Sequence, residues 1–412
     1  MLEDPLFPEA TYGKPDFLVA DVPSRQSHRD NRLLTDQYPP KEVRWRQCPS
    51  FIEVKSSSAD RPRAVNIADV KETLVQGADY ARMILASRPF QLYTYGLFIC
   101  GTSFNVGSFD RCGISLSPDM QITNSVDLRS FVHIIFRLLW DMSPHELGLD
   151  PTVEIMPGET YYQEEFPRFR VPVSDRSESA ETIMTVMTVG KPLWLSYSLL
   201  GRGTSIWSAL TADNTPVILK SAWRTTGRKG EAEIYDEITS LLKRANLPYP
   251  RGMATPSSGG DVKHDDALLT VSAHRDLSRS QPDDEHVVDR VLHRVIIKDY
   301  GKPLWLWSDV KEFALALRDV VEAHRQLYEL GVLHRDISGG NILIRVIAAY
   351  VPPPRNGKAK ITIAQPKGDE VGGFLTDFEL ASVKEAEEQL DKKPGDTISV
   401  RTELLTYYFI VD

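Results

Sequence analysis

Cysteine is scarce. The 412-residue chain carries three, Cys48, Cys100 and Cys112, which cannot all pair with one another and form no close CxxC. That argues against a disulfide scaffold and a cysteine-built zinc site, and fits a reducing compartment. Long apolar runs are missing too, since none approaches the ~20 residues of a membrane span. The start, MLEDPLFPEA, has neither the basic stretch nor the apolar run of a secretory signal, so the expected location is intracellular, cytoplasmic or nuclear. Basic residues are in deficit: 48 Lys and Arg against 57 Asp and Glu give a net charge of −9, which supplies no general attraction to nucleic acid or an anionic membrane. Internal repeats are lacking. What is present, 42% hydrophobic and 25% charged residues, excludes a disordered or collagen-like chain, and the length suits two or three domains.

Residues 1–45 are punctuated by Pro5, Pro8, Pro15, Pro23, Pro39 and Pro40 and read as an irregular segment. Residues 46–175 read as a small α+β module. A strand is expected at 51–54, then a helix at 69–85 with Val70, Leu74, Ala78, Ala81 and Leu85 at helical spacing. Strands follow at 92–100 and 103–108, then an amphipathic helix at 127–140 with Phe131, Ile134, Ile135, Leu138 and Leu139 on one side. The polar run SDRSESAE puts a join near 175–190. Beyond it come strands at 195–200 and 217–219, a helix at 231–242 and a loop at 254–286 rich in Ser, Gly, Asp and His. A strand at 291–297, a helix at 310–330, an irregular insert at 350–373 containing Pro352-Pro353-Pro354, and a strand at 374–378 complete the pattern. His264, His274, His286 and His293 stand at no metal-like spacing and read as loop or surface residues; Asp110-Arg111 reads as a strand-end ion pair.

One ordered set of residues carries chemistry. His334-Arg335-Asp336 is followed by Asn341 and an apolar strand, then by Thr376-Asp377-Phe378-Glu379. A carboxylate and an amide at this offset suit phosphoryl transfer: the carboxylate accepts a hydroxyl proton and the amide oxygen helps hold Mg²⁺. Upstream, Gly201 and Gly203 let backbone N–H groups approach phosphates, and Lys220 ends the apolar run Val217-Ile218-Leu219. Its acidic partner belongs on the next helix. Ile234, Tyr235 and Ile238 lie three, four and seven residues after Glu231 and turn it toward the core; Glu233 lies about 200° further round, at ~100° per residue.

The segments GRGT, EAEIYDEI, DYGKPLW, EAHRQLYELGVLHRDISGGNILI and LTDFELA resemble the fungal-type protein kinase-like family, a divergent branch of the eukaryotic protein kinases. ELGLDPTV and the stretch from Tyr80 to Ser117 resemble its N-terminal extension, so the likeness covers roughly residues 40–410. The resemblance implies an α+β chain: a bilobal kinase-like module, with N-lobe and hinge over 190–301 and a C-lobe over 302–412, preceded by a small sheet-and-helix module. It implies ATP and Mg²⁺ as cofactors and an unidentified protein as substrate. Asp336 and Arg335 would belong to the catalytic loop, Lys220 would hold phosphate with Glu231 positioning it, and Gly201 and Gly203 would cover the phosphates. Asn341 and Asp377 would hold Mg²⁺, and Lys298, Asp299 and Tyr300 would form the hinge behind adenine.

Departures from the family pattern are specific. Ile206 stands where a third loop glycine would fall, and Ile218 replaces the small residue over adenine. Ser338 stands where Ser/Thr kinases commonly carry a lysine, and Glu379 replaces the DFG glycine. Only 412 − 379 = 33 residues follow Asp-Phe-Glu, so the C-lobe is expected to be truncated, its apolar end LLTYYFIVD covered by a partner. Besides a Ser/Thr-directed phosphotransferase, two functions stay open: an ATP-binding pseudokinase scaffold, and a small-molecule kinase of the choline-kinase or aminoglycoside-phosphotransferase kind.

A second set lies in the first module: Pro15-Asp16, Glu53-Val54-Lys55, and Gln76 with Tyr80 four residues on. This order resembles restriction-endonuclease-like nucleases. The resemblance implies two carboxylates holding Mg²⁺ and a lysine positioning water; on a strand Glu53 and Lys55 share a face.

Overall fold

The computed structural model describes residues 15–19, 44–63, 70–161, 166–175, 182–274, 289–353 and 359–384; the stretch 385–412, with the expected apolar end, lies outside them, as does most of the polar run at 174–181. A first sheet opens with β1 (Phe17–Val19), antiparallel to β2 (Ser50–Lys55). β2 lies parallel to the later β3 (Tyr93–Cys100), an arrangement no tight turn can join, and α1 (Glu72–Ser87) makes the crossover. β4 (Ser103–Asp110), β5 (Gly113–Leu116) and β6 (Met120–Gln121) complete the sheet in antiparallel pairing. α2 (Ser125–Phe136) follows, its start capped by the Asn124 side chain, which accepts from the Val126 and Asp127 N–H groups.

A second sheet contains β7 (Glu154–Ile155), β8 (Phe169–Asp175), β9 (Thr182–Thr188), β10 (Trp194–Leu195), β11 (Ser205–Leu210) and β12 (Pro216–Thr225). After α3 (Glu231–Arg244) come β13 (Pro256–Asp261), a small hairpin of β14 (Lys263–His264) and β15 (Ala267–Leu268), and β16 (Arg290–Ile297). The order is β13-β16-β12-β11-β9-β8-β7, with β10 beside β11. β17 (Tyr300–Pro303) leads to α4 (Val310–Glu329), which Asp309 caps by accepting from the Glu312 N–H. β18 (Val332–Leu333), β19 (Ile342–Val351), β20 (Lys360–Ala364), β21 (Gly373–Leu375) and β22 (Ser382–Val383) follow; β17, β20 and β21 all pair with β19.

The two modules share one core. Phe51, Tyr80, Phe98 and Phe109 of the first sheet belong to the same buried cluster as Phe169, Val171, Trp207 and Ile296 of the second. Phe90 joins them, its ring 4.9 Å from Phe169 and 5.6 Å from Trp207. Buried aromatic pairs of this kind add to the area they remove from water. A second cluster, with Tyr235, Ile238, Val320, Leu327, Ile342 and Phe378, ties α3 to α4 and to the strands around the candidate site.

The join expected at 175–190 takes in the link from β8 to β9 and β9 itself, and these two strands pair in one sheet. Three expectations need correction. The 254–286 loop contains β13, whose sequence SSGGD is weakly strand-forming in isolation. Its glycine is required by packing: a Cβ on Gly259 would stand 2.8 Å from the Ala232 Cβ and 2.9 Å from the Arg294 carbonyl oxygen. The irregular insert at 350–373 contains the returning arm of a hairpin, with Ala348 opposite Ile363. The helix expected through 140 ends at Phe136 and continues as a π-helical turn, where Leu139 is exposed.

Candidate functional site

Lys220 lies in the middle of β12, between Ile206 of β11 and Val295 of β16. Both its neighbours are strands, so its side chain can only leave the sheet along a face, and α3 covers that face. The Nζ donates to Glu231 Oε2 at 2.6 Å and to Asp377 Oδ1 at 2.6 Å. Glu231 is the first residue of α3, and its other oxygen, Oε1, accepts from the Phe378 N–H at 3.1 Å. Glu233 turns back instead and accepts from the Gly230 N–H, capping the helix. One buried carboxylate thereby aligns both the lysine and the backbone beside Asp377.

Electrostatics follow from this burial. Desolvation alone would lower the Lys220 pKa, but Asp377 and Glu231 outweigh it and raise it, so the ammonium stays charged. Burial pushes the Glu231 carboxyl up against the opposing pull of Lys220. Asp377 moves down: burial opposes ionisation, but Lys220 and Arg202 prevail.

The residues expected to form a catalytic loop are joined to the same segment. Asn341 Nδ2 donates to the Asp336 carbonyl at 2.8 Å and to Asp336 Oδ2 at 3.1 Å, which leaves its amide oxygen as the group able to meet a cation. The Thr376 N–H donates to the Asn341 carbonyl, joining this loop to the Asp377 segment. His334 is the buttress. Its Nε2 contacts the Thr376 carbonyl at 2.9 Å, its Nδ1 accepts from the Asp336 N–H, and its ring meets Phe378 edge-on at 4.6 Å. Those partners place the proton on Nε2, and burial lowers the ring's pKa, favouring the neutral form. Asp377 itself has φ +63°, a left-handed conformation that aspartate tolerates better than most side chains. Arg335, at φ +68°, is exposed and stands outside this network.

The Gly201–Gly203 turn has positive φ at both glycines, +105° and +52°. It rests on the first module. The Gly201 N–H donates to the Arg111 carbonyl at 3.0 Å, and the Arg111 guanidinium donates to the Ser198 and Leu199 carbonyls. A Cβ on Gly203 would stand 2.5 Å from Arg111 Nε, so only glycine fits. Arg111 was expected in a strand-end ion pair with Asp110; the Asp110 charge does act on its guanidinium, which is also buried against the loop, and burial lowers its pKa to about 10.

Two of the residues expected at the hinge, Asp299 and Tyr300, brace the fold with their side chains. Asp299 accepts from the Thr255 N–H and pairs with Arg345, and the Tyr300 hydroxyl donates to the Val217 carbonyl at 2.7 Å. His293, expected at the surface, is buried. Its Nδ1 contacts Asp261, itself paired with Arg224, and its Nε2 accepts from the Ala232 N–H at the first turn of α3, adjacent to Glu231. No spacing rule could have found it; only the pairing of β13 with β16 brings Asp261 opposite His293.

In the first module the second set also comes together. Asp16 Oδ2 accepts from the Val54 N–H at 2.7 Å, and Lys55 Nζ donates to Glu53 Oε1 at 2.6 Å and to Gln76 Oε1 at 2.9 Å. Gln76 Nε2 in turn donates to the Tyr80 hydroxyl at 2.7 Å. Glu53 is 2% exposed, and its Oε2 has no hydrogen-bond partner among the described residues. The bond to Glu53 leads the causes that raise the Lys55 pKa, and burial pushes Tyr80 up to about 12.

Residues 29–407 match the pattern described as fungal protein kinase. The chain belongs to that family. The family's span includes the first sheet from β2 onward as well as the Lys220–Asp377 site, so both lie in one family unit, and its function is protein-kinase-like. No curated protein matches. Similar solved structures include the ROP18 kinase domain in complex with AMP-PNP and sucrose, at 15% identity and TM-score 0.27, covering 52% of this chain and 56% of that one. Another is the yeast RNA Pol II CTD kinase CTDK-1 complex, at 16% identity and TM-score 0.24, covering 44% of each chain. The fungal kinase chain thus spans about half the length of these structures. Among its described residues no helix is long and apolar enough to cross a membrane.

Proposed function

We propose that this chain transfers the γ-phosphoryl group of ATP to a Ser or Thr hydroxyl of a protein. The observation that carries the reading is the Lys220–Glu231–Asp377 triangle, with Asn341 clamping Asp336 across the Thr376 backbone link. The donor set fits Mg²⁺, a hard cation that takes a carboxylate and an amide oxygen and keeps waters: Asp377 and Asn341 would hold it. When bound, Mg²⁺ and ATP supply the charge neutralisation and the phosphoryl donor. Lys220 would bind the α- and β-phosphates, held at its post by Glu231. Gly201 and Gly203 would cover the phosphates, and the backbone of 298–300 would take adenine. Asp336 would orient the acceptor hydroxyl and take its proton.

Isothermal titration with ATP and Mg²⁺, followed by transfer of labelled γ-phosphate to Ser/Thr-containing and Tyr-containing proteins, tests this. Binding with transfer to Ser or Thr supports it. Binding without any transfer would show a scaffold, and transfer only to amino-alcohol or aminoglycoside acceptors would show a small-molecule kinase.

A second reading concerns the first module. The hydrogen-bonded series Asp16, Glu53, Lys55, Gln76, Tyr80 and the buried, unpartnered Glu53 Oε2 favour a divalent-cation site of restriction-endonuclease-like kind. Asp16 and Glu53 would hold the cation and Lys55 would position water against a phosphodiester. Plasmid incubated with the full chain and Mg²⁺ or Mn²⁺ should be nicked, and Lys55→Ala should remove the nicking. An intact plasmid, or nicking that survives Lys55→Ala, sinks this reading.

A further inference from the structure

We infer that Arg202, carried on the phosphate-covering turn, is the cation that meets the transferred phosphoryl group, and that Glu379 is the partner it leaves to do so. This deepens the phosphotransfer reading and rests on it. Transfer builds negative charge beside Asp336 and Asn341, and a site needs a cation there. The loop from Asp336 to Asn341 contains no basic residue, Ser338 standing at its centre. Lys220 is committed to two carboxylates on the inner side.

Arg202 is placed to fill the gap. Its Nη1 lies 3.0 Å from Glu379 Oε2 and 3.5 Å from Asp377 Oδ2, so the guanidinium already stands beside a residue that would hold Mg²⁺. Its backbone is fixed: its carbonyl accepts from the Trp223 N–H at 2.7 Å, and Gly201 and Gly203 on either side are packed on Arg111. Its side chain is 39% exposed and its guanidinium rests on the two carboxylates, so it can swing without the turn moving. A guanidinium fork also matches two phosphate oxygens at once, which an ammonium does not.

The step is then complete in its atoms. The acceptor hydroxyl oxygen forms a bond to the γ-phosphorus as the bond from that phosphorus to the bridging oxygen breaks and leaves with ADP. The hydroxyl proton passes to Asp336. Arg202 donates to the phosphoryl oxygens as their charge grows, exchanging a carboxylate partner for a phosphate one. Glu379, where protein kinases carry glycine, gives the arginine its resting position.

The test compares wild type with Arg202→Gln and Arg202→Lys in titrations with ATP and with AMP, each with Mg²⁺, and in single-turnover transfer. AMP lacks the distal phosphates, so its affinity should not change. ATP affinity should fall about tenfold in Arg202→Gln, and transfer about 10²–10³-fold, with Arg202→Lys recovering part of both. Equal losses for ATP and AMP, or an unchanged ATP:AMP ratio, overturn the inference. Glu379→Gln supplies an independent arm that keeps the arginine: ATP should bind a few-fold tighter relative to AMP, and the gain should vanish in the Arg202→Gln/Glu379→Gln double variant. A gain that persists in the double variant comes from the lost carboxylate charge alone and also overturns it. Wild type that binds no ATP overturns the phosphotransfer reading, and this inference with it.

Discussion

Asp150→Ala is expected to lower the stability of the whole chain by about 3–5 kcal/mol, the cost of leaving one member of a buried ion pair without its partner. Arg294 of β16 and Asp150, from the segment between α2 and β7, are both fully buried and paired with each other. Arg294 Nη1 also donates to Thr152 Oγ1 at 3.0 Å and to the Pro172 carbonyl at 2.9 Å, so one guanidinium joins the second sheet to the segment that follows the first. Burial already lowers its pKa, and Asp150 is the charge that opposes that shift. Without Asp150 the guanidinium keeps two neutral acceptors and no counter-charge. Denaturant unfolding should show the loss as an earlier midpoint in a single transition, since the aromatic core runs through both modules. Replacing both residues, as Asp150→Leu with Arg294→Met, should recover most of the loss, because an apolar pair needs no desolvation of charge. A loss below about 1 kcal/mol in the single variant, within the range of exposed pairs, would show the pair to be weakly held.

The parts of the site legible in the sequence are those whose chemistry forces a short-range pattern. Asp336 and Asn341 sit in one turn, and the side of α3 that bears Glu231 follows from helical periodicity, because Ile234, Tyr235 and Ile238 must face the core. What escaped depends on contacts distant in sequence. β13 is hidden because Gly259 reflects the approach of α3 rather than any strand preference. The hairpin of β19 and β20 is hidden by the run Pro352-Pro353-Pro354 in the sequence between its two arms, which dominates the composition there. Arg111 reaches a loop 87 residues away, while the acid next to it offered a nearer and simpler explanation. Arg202 lies between two glycines whose pattern speaks only for the backbone, and its partner Glu379 is 177 residues further on. The strands on both sides of the polar run at 174–181 pair with each other, a partnership that composition does not reveal.

Asp336→Asn is expected to reduce phosphate transfer about 10²–10⁴-fold, the range associated with removing a positioned proton acceptor, while leaving ATP affinity nearly unchanged. The substitution keeps the size of the side chain. It also keeps the backbone carbonyl that accepts from Asn341 Nδ2 and the backbone N–H that donates to His334 Nδ1, so the loop retains two of its fastenings. What it loses is the ability to take a proton from the acceptor hydroxyl. Lys220, Glu231 and Asp377 are untouched, and these are the residues expected to hold the nucleotide. Single-turnover transfer and ATP titration on the same preparation separate the two effects. Transfer that survives at half the wild-type rate or more removes Asp336 from the role of base. A parallel loss of ATP affinity would instead trace the defect to the loop, with Asn341 carried out of place when its carboxylate acceptor is gone.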